Sequence, residues 1–338
     1  MISTLWNGVG EGALTHWAGR LFTSAAFFWL AGLTVLWYAR HNGVIHHQGW
    51  VQGLTTVTRP YAKLTPLVAG LLLAGFLCLI GLSAFAAEVL TLPALRVLEG
   101  YGWQGHRPGP QWSDRRADAR VEAMGTYQRL VLKPEYAGAP PRTAAEDAAL
   151  AKATRVLRST PAAREFVLPT RLGNILRSAE RRPVRKHGVD AVFCWPHLWF
   201  VLPADVRSDI TAARSALDRA VRAWMWSVLF VVWTPWAWWA PLAAAAAAAL
   251  AYISCLRSAA TFAVLVEAAF DVHLPLVHSA ARLPPPRTAA DTAECGARLT
   301  RFLLIGSEDA NLRFAGEEAG SSAPPHPLSA APTATATP

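Results

Sequence analysis

Few residues in this chain have the types and spacing that chemistry needs. Glu267 and Asp271 stand four apart in a helical pattern, so their carboxylates share one face a single turn apart. Such a pair can hold a cation or divide the work of proton donor and proton acceptor. His273 and Arg282 offer the same two carboxylates ordinary ion-pair partners. His41, His46 and His47 cluster, but adjacent histidines on a helix face different directions, and only His41 and His46 can converge in a folded loop. The GVGEG run at Gly8 to Gly12 has the composition of a phosphate loop without the preceding strand that such a loop requires. Cys78, Cys194, Cys255 and Cys295 occur singly, with no CxxC or Cys/His ligand spacing, which argues against structural zinc and a disulfide framework and marks them as small core residues. No GxSxG elbow, Walker A loop or HExxH occurs. The sequence therefore assigns no catalytic residue, no metal and no cofactor.

The other candidates lie between Leu168 and Pro203, LPTRLGNILRSAERRPVRKHGVDAVFCWPHLWFVLP, around which the rest of the chain is arranged. Thr170 can cap a helix in which Leu172, Ile175, Leu176 and Ala179 form an apolar face, with Arg171, Asn174, Arg177 and Glu180 mostly off it. Arg181, Arg182, Arg185 and Lys186 crowd Pro183 in what reads as a loop, either solvated or in contact with anionic lipid headgroups. Val189 to Leu202 is then almost wholly apolar or aromatic, broken only by Asp190, His197 and the ring of Pro196. It is too short to span a bilayer, so it packs inside its module or lies at the lipid surface, with Trp195 and Trp199 as its largest side chains. PTRLGNILRSAE followed by GVDAVFCWPHLWFVLP, a charged helix and a Trp-rich apolar run resembles an uncharacterised family of bacterial four-span integral membrane proteins. The likeness is densest from Leu168 to about Trp239 and reaches more loosely toward Leu304. It implies an architecture and carries no activity, cofactor or catalytic residue.

These residues must be positioned by elements suited to a membrane. The 338 residues are 53% hydrophobic and 16% charged, with positive mean hydropathy. Leu21 to Ala39, Leu64 to Ala87 and Ala223 to Leu256 carry no charge, and the last run is long enough for a tight hairpin turned at Pro235 and Pro241 among Trp236, Trp238 and Trp239. The first run lacks the basic start and small-residue cleavage site of a signal peptide and reads as retained. Net charge is +9, and Glu88 to Arg222, with 22 basic and 14 acidic residues, holds +8 of it. Retention of Lys and Arg on the cytoplasmic side explains that placement more simply than nucleic-acid binding. An even number of spans then leaves both termini in the cytoplasm of a multi-pass plasma-membrane protein.

The expected fold is an all-α integral membrane protein, two transmembrane helical hairpins flanking a mainly helical cytosolic module. Residues 1–20 form an interfacial segment, 21–100 the first hairpin, 101–222 the basic module, 223–257 the second hairpin, 258–305 cytosolic C-terminal helices, and 306–338 a disordered tail rich in Ser, Ala, Pro and Thr. Within the first hairpin, Pro93 bends the chain and Leu90, Ala94 and Val97 form a stripe. In the module, Ser113 caps a helix with Ala117, Val121 and Met124 on one face, Thr143 and Glu146 form a capping box, and Thr288 caps the last helix. Pro203 opens the longest helix, whose Val206, Ile210, Ala213, Leu217, Ala220 and Trp224 make an apolar seam, with Asp218 and Arg222 as an ion pair. The seam packs against earlier helices of the chain or joins a second copy. Besides the lipid bilayer, the partners implied are a protein or homo-oligomer through Val206 to Trp224, and anionic lipid at Arg181, Arg182, Arg185 and Lys186. Three classes of function stay open: a membrane-anchored interaction protein, a pore or transporter subunit, and a membrane-associated enzyme without a recognisable motif. The middle of every uncharged run lacks the polar groups that ion paths use, which weighs against the second.

Overall fold

A computed structural model describes residues 24–39, 65–103, 108–131, 142–306 and 314. The interfacial segment with its GVGEG run, the His41, His46 and His47 loop, and nearly all of the C-terminal tail lie outside the described residues. Nine α-helices are described: α1 (Ser24–Ala39), α2 (Pro66–Glu99), α3 (Gly109–Val131), α4 (Ala144–Ser159), α5 (Arg171–His187), α6 (Ala191–Val201), α7 (Ala204–Leu229), α8 (Ala240–Ala280) and α9 (Thr292–Ile305). There is no strand among the described residues. Local chemistry sets many of the ends. Thr143 and Glu146 cap each other reciprocally at the start of α4, Thr170 accepts from Gly173 N–H at α5, and Asp190 accepts from Val192 N–H at α6. Pro66 and Pro241 sit in the first turns of α2 and α8, where a missing N–H costs nothing.

Among the described residues two helices are long and apolar enough to cross a membrane, α2 and α8. From Pro66 to Ala87 α2 rises about 33 Å, and much of that length faces outward: Leu67, Leu71, Leu82 and Phe85 are each at least 66% exposed. The described α1 and the apolar end of α7 are shorter than the ~30 Å of a hydrocarbon core. α7 and α8 form the most extensive helix pair and run antiparallel, because Trp224 and Tyr252 line one cavity while the Arg214 guanidinium lies 6.0 Å from the Phe262 ring. A 3-10 turn at Phe230–Trp233 and the Trp-rich bend to Ala240 close this hairpin. Phe28 and Trp29 of α1 dock on Trp226 and Trp233, and the Trp29 indole donates to Ser83 Oγ on α2.

Below the uncharged runs, α2, α5, α6, α7, α8 and α9 share one core containing Leu95, Leu172, Trp195, Leu198, Ile210, Leu217, Phe270 and Leu299. α6 lies inside it: Cys194, Trp195, Leu198 and Trp199 are buried, and Trp195 meets Phe270 of α8 at 6.0 Å, while Phe193, His197 and Phe200 face outward. The Val206 to Trp224 seam is covered within the chain, chiefly by α8, which follows it in sequence rather than preceding it. Gly173 lets α5 abut the end of α2. A Cβ there would stand 2.1 Å from the Glu99 carbonyl oxygen, which instead accepts a 2.8 Å hydrogen bond from Thr170 Oγ1.

Several local expectations fail for identifiable reasons. Arg181 to Lys186 is helix and not loop. Pro183 lies inside α5, which ends only at Gly188, a left-handed residue pressed against Ala293. α3 starts at Gly109, before Ser113, and its inward face is Ala117, Arg120 and Ala123, with Val121 exposed. The inward face of lower α2 is Thr91, Leu95 and Leu98 instead of Leu90, Ala94 and Val97, and Pro93 stays within the helix. Arg222 reaches across to Glu88 at 2.7 Å and leaves Asp218 to Arg214, so long-range pairing displaces the expected pair within α7. α9 begins at Thr292 behind Asp291, whose N–H is accepted by Thr288 Oγ1.

Candidate functional site

Ten residues were candidates from sequence. Arg177 meets Glu180, Asn174 meets the Thr170 carbonyl, and Glu267 and Asp271 share a cation. α5 runs alongside α8 in the same direction, which brings Arg182, Lys186 and His187 onto those two carboxylates. Arg182 pairs with Glu267, Lys186 Nζ sits 2.7 Å from both Glu267 and Asp271, and His187 Nε2 is 2.8 Å from Asp271. Arg182 also donates to the Arg158 carbonyl, so the network ties α4, α5 and α8 together. Desolvation opposes the charge on Lys186, but its hydrogen bonds to Asp271 and Glu267 outweigh it and hold the ammonium above its ordinary pKa. With cations already on both carboxylates, the arrangement is a clamp between helices and leaves no open carboxylate pair.

The other candidates hold the backbone. Asn174, placed off the apolar face by its spacing, is buried. Its side chain accepts from Leu168 N–H and donates to the Leu168 and Thr170 carbonyls. A side chain that satisfies three backbone groups can be buried at little cost, and that is a tertiary fact invisible to periodicity. Arg177 pairs with Glu180 and reaches the Phe166 ring, over which Arg181 stacks at 3.6 Å. Asp190 is a helix cap, its own N–H donates to Thr300, and His197 Nδ1 lies 3.2 Å from the Phe193 carbonyl. Burial pushes the Cys194 thiol up to about 12, so it stays protonated and unreactive. Among the described residues no group of three His, Cys, Asp or Glu side chains could hold a metal ion.

The arrangement with room for a ligand is a groove of about 1470 Å³ between the α3–α4 hairpin and the α5–α8 pair. Its floor is apolar, with Leu150, Ile175, Ile253, Leu256 and Val264, and its walls carry Arg116, Arg155, Arg158, Arg171, Arg182 and Arg257 against one carboxylate, Asp147. Two residues hold the walls in place. Arg120 is buried and donates to the Leu157 and Thr160 carbonyls at 2.8 and 2.6 Å, which fastens α3 to the end of α4. Arg116 Nε donates to the Pro169 carbonyl at 2.9 Å, and the residue lines both the groove and a neighbouring cavity of about 530 Å³ lined by Trp103, Trp112, Trp224 and Tyr252. Burial pushes the pKa of Arg116 and Arg120 below the arginine norm, while a guanidinium stays charged across the physiological range. The chain matches no protein-family model, no curated protein and no solved structure.

Of the sequence candidates, Arg171 lines the groove and Thr170 the aromatic cavity beside it; Arg182, expected from sequence at a lipid contact, also lines the groove. Arg116, Arg155, Arg158 and Arg257 were not singled out as a site. The spacing of Arg155 and Arg158 places both on one side of α4, and that was the available signal. Nothing in the sequence says that α4 folds back beside α8.

Proposed function

We propose that this chain is a membrane-anchored interaction protein, in which apolar helices hold a basic helical module against the inner face of the plasma membrane and the module's arginine groove receives an acidic partner. The observation that carries the reading is the outward-facing apolar surface of α2 above a common level of charge. Leucines as exposed as Leu67 and Leu71 over a length of 33 Å require a nonaqueous surround. Below Ala87 the first charge on α2 is Glu88, paired with Arg222, which is the last charge on α7 before its uncharged end, and Arg257 is the first on α8. Charge therefore begins together on three helices, as it does at a headgroup boundary. In this reading 21–100 and 223–257 enter as two hairpins, giving four spans with both termini in the cytoplasm, in keeping with the resemblance of the Leu168 to Trp239 segment. No comparable observation favours the pore or the enzyme.

Reporter fusions after His47 and after Gly138 in the full chain test it. A periplasmic signal at His47 and a cytoplasmic one at Gly138 are expected, together with retention of the protein in membranes washed at alkaline pH. An external Gly138, or release by the wash, overturns the reading.

A further inference from the structure

We infer that the acidic partner of the groove is an anionic phospholipid of the same leaflet, its phosphate held by Arg171 and Arg257 and one acyl chain lying along α8. This rests on the membrane reading above. It is argued first from continuity. The apolar groove floor at Ile253 and Leu256 belongs to the same helix face region as Leu250, which is 69% exposed on the uncharged part of α8. No break in α8 separates the lipid-facing stretch from the groove, so a chain can follow it down without crossing water. Arg257 stands where that apolar path meets the first charge, and Arg171, in the first turn of α5, lines the same wall.

Charge complementarity supplies the second argument. Arg182 is committed to Glu267 and Arg116 is anchored on Pro169, yet Arg155, Arg158, Arg171 and Arg257 are exposed and form no carboxylate pair among the described residues. Four like charges around one apolar channel repel each other unless an anion enters, and guanidinium groups bind phosphate oxygens in bidentate fashion. The groove also brings the two chemistries together: Ile253 and Leu256 lead toward the uncharged part of α8, and Arg171 and Arg257 line the groove with them. A nucleic acid or an acidic peptide would use the arginines and leave Ile253 and Leu256 uncovered, whereas a phospholipid uses both.

The test uses the full chain in a phosphate-free, neutral detergent. Short-chain phosphatidylglycerol, short-chain phosphatidylcholine and inorganic phosphate are titrated separately, and the unfolding temperature is read at each concentration. Phosphatidylglycerol should raise it with an apparent affinity at least about tenfold tighter than phosphatidylcholine, the factor carried by 1.4 kcal/mol. Arg171→Gln with Arg257→Gln should weaken phosphatidylglycerol by about tenfold or more, while Arg219→Gln, an exposed arginine outside the groove, should leave it within about twofold. Should the double variant not fold, Arg155→Gln with Arg158→Gln decides, with a loss of about threefold or more expected. Equal response to both lipids, equal response to inorganic phosphate, or unchanged affinity in the groove variants overturns the proposal. Because binding is read in micelles, such a failure is separate from an external Gly138, which sinks the membrane reading itself.

Discussion

Two arginine-bearing regions of the same helix pair have opposite chemistry. On the lower part of α5 and α8, Arg182, Lys186 and His187 meet Glu267 and Asp271 at hydrogen-bond distance, and every charge is answered. Beside the upper part, the groove sets Arg155, Arg158, Arg171 and Arg257, none of them in a carboxylate pair among the described residues, against Asp147. The difference teaches where charge is structural and where it is available. A satisfied network holds α4, α5 and α8 together and has no capacity left, whereas an unsatisfied set costs the fold some repulsion and persists beside a channel large enough for a ligand. The pair spaced best for chemistry, Glu267 and Asp271, turns out to be the structural one.

The largest expected effect tests whether the two regions share one rigid support. Trp195 pins α6 on Phe270 of α8 from within the core, so Trp195→Ala should destabilise the full chain in micelles by about 3–5 kcal/mol in denaturant unfolding. The same variant should open Cys194, which in the parent resists maleimide at pH 8 because burial holds its thiol near 12. Parent-like stability with parent-like thiol protection would show that α6 supports neither region.

A smaller effect separates the regions. Glu267→Ala leaves Arg182 and Lys186 without a shared carboxylate and should cost about 2 kcal/mol, below the cost of breaking a fully buried pair because the Lys186 side chain is 39% exposed. Thermal or denaturant unfolding indistinguishable from the parent would reduce the network to surface charge. The smallest effect belongs to the groove. Arg155→Gln and Arg158→Gln remove exposed, like-charged neighbours and should change stability by no more than about 0.5 kcal/mol, with the sign toward stabilisation. A loss above 1 kcal/mol in either variant would give these arginines a structural role and erase the contrast.

Local signals in the sequence carried over well where a helix end or an apolar face was at issue. Thr143 and Glu146, Thr170 and Pro203 all stand at helix starts, and Leu172, Leu176 and Ala179 do form the inward face of α5. What was not legible depended on which helices meet. Pro183 predicts a break when read alone, but four helical residues follow it in a sequence with Gly188 as the natural stop. Arg222 chooses Glu88, 134 positions away, over the Asp218 one turn before it, because α2 and α7 cross at that level. Buried Arg120 and Asn174 look like surface residues until the carbonyls of Leu157, Thr160 and Leu168 are brought to them by the fold. The groove was missed for the same reason, since its arginines come from α3, α4, α5 and α8 and share no common spacing.

The account stands or falls on the level at which α8 leaves the hydrocarbon. Single nitroxide labels at Leu71, Leu250, Arg257 and Arg207, each in the full chain reconstituted into bilayers, can be compared for collision with oxygen and with a water-soluble nickel chelate. Oxygen should dominate at Leu71 and Leu250, the two relaxants should balance near Arg257, and nickel should dominate at Arg207. Nickel access at Leu71 or Leu250 as high as at Arg207 would place those exposed apolar surfaces in water and contradict the account.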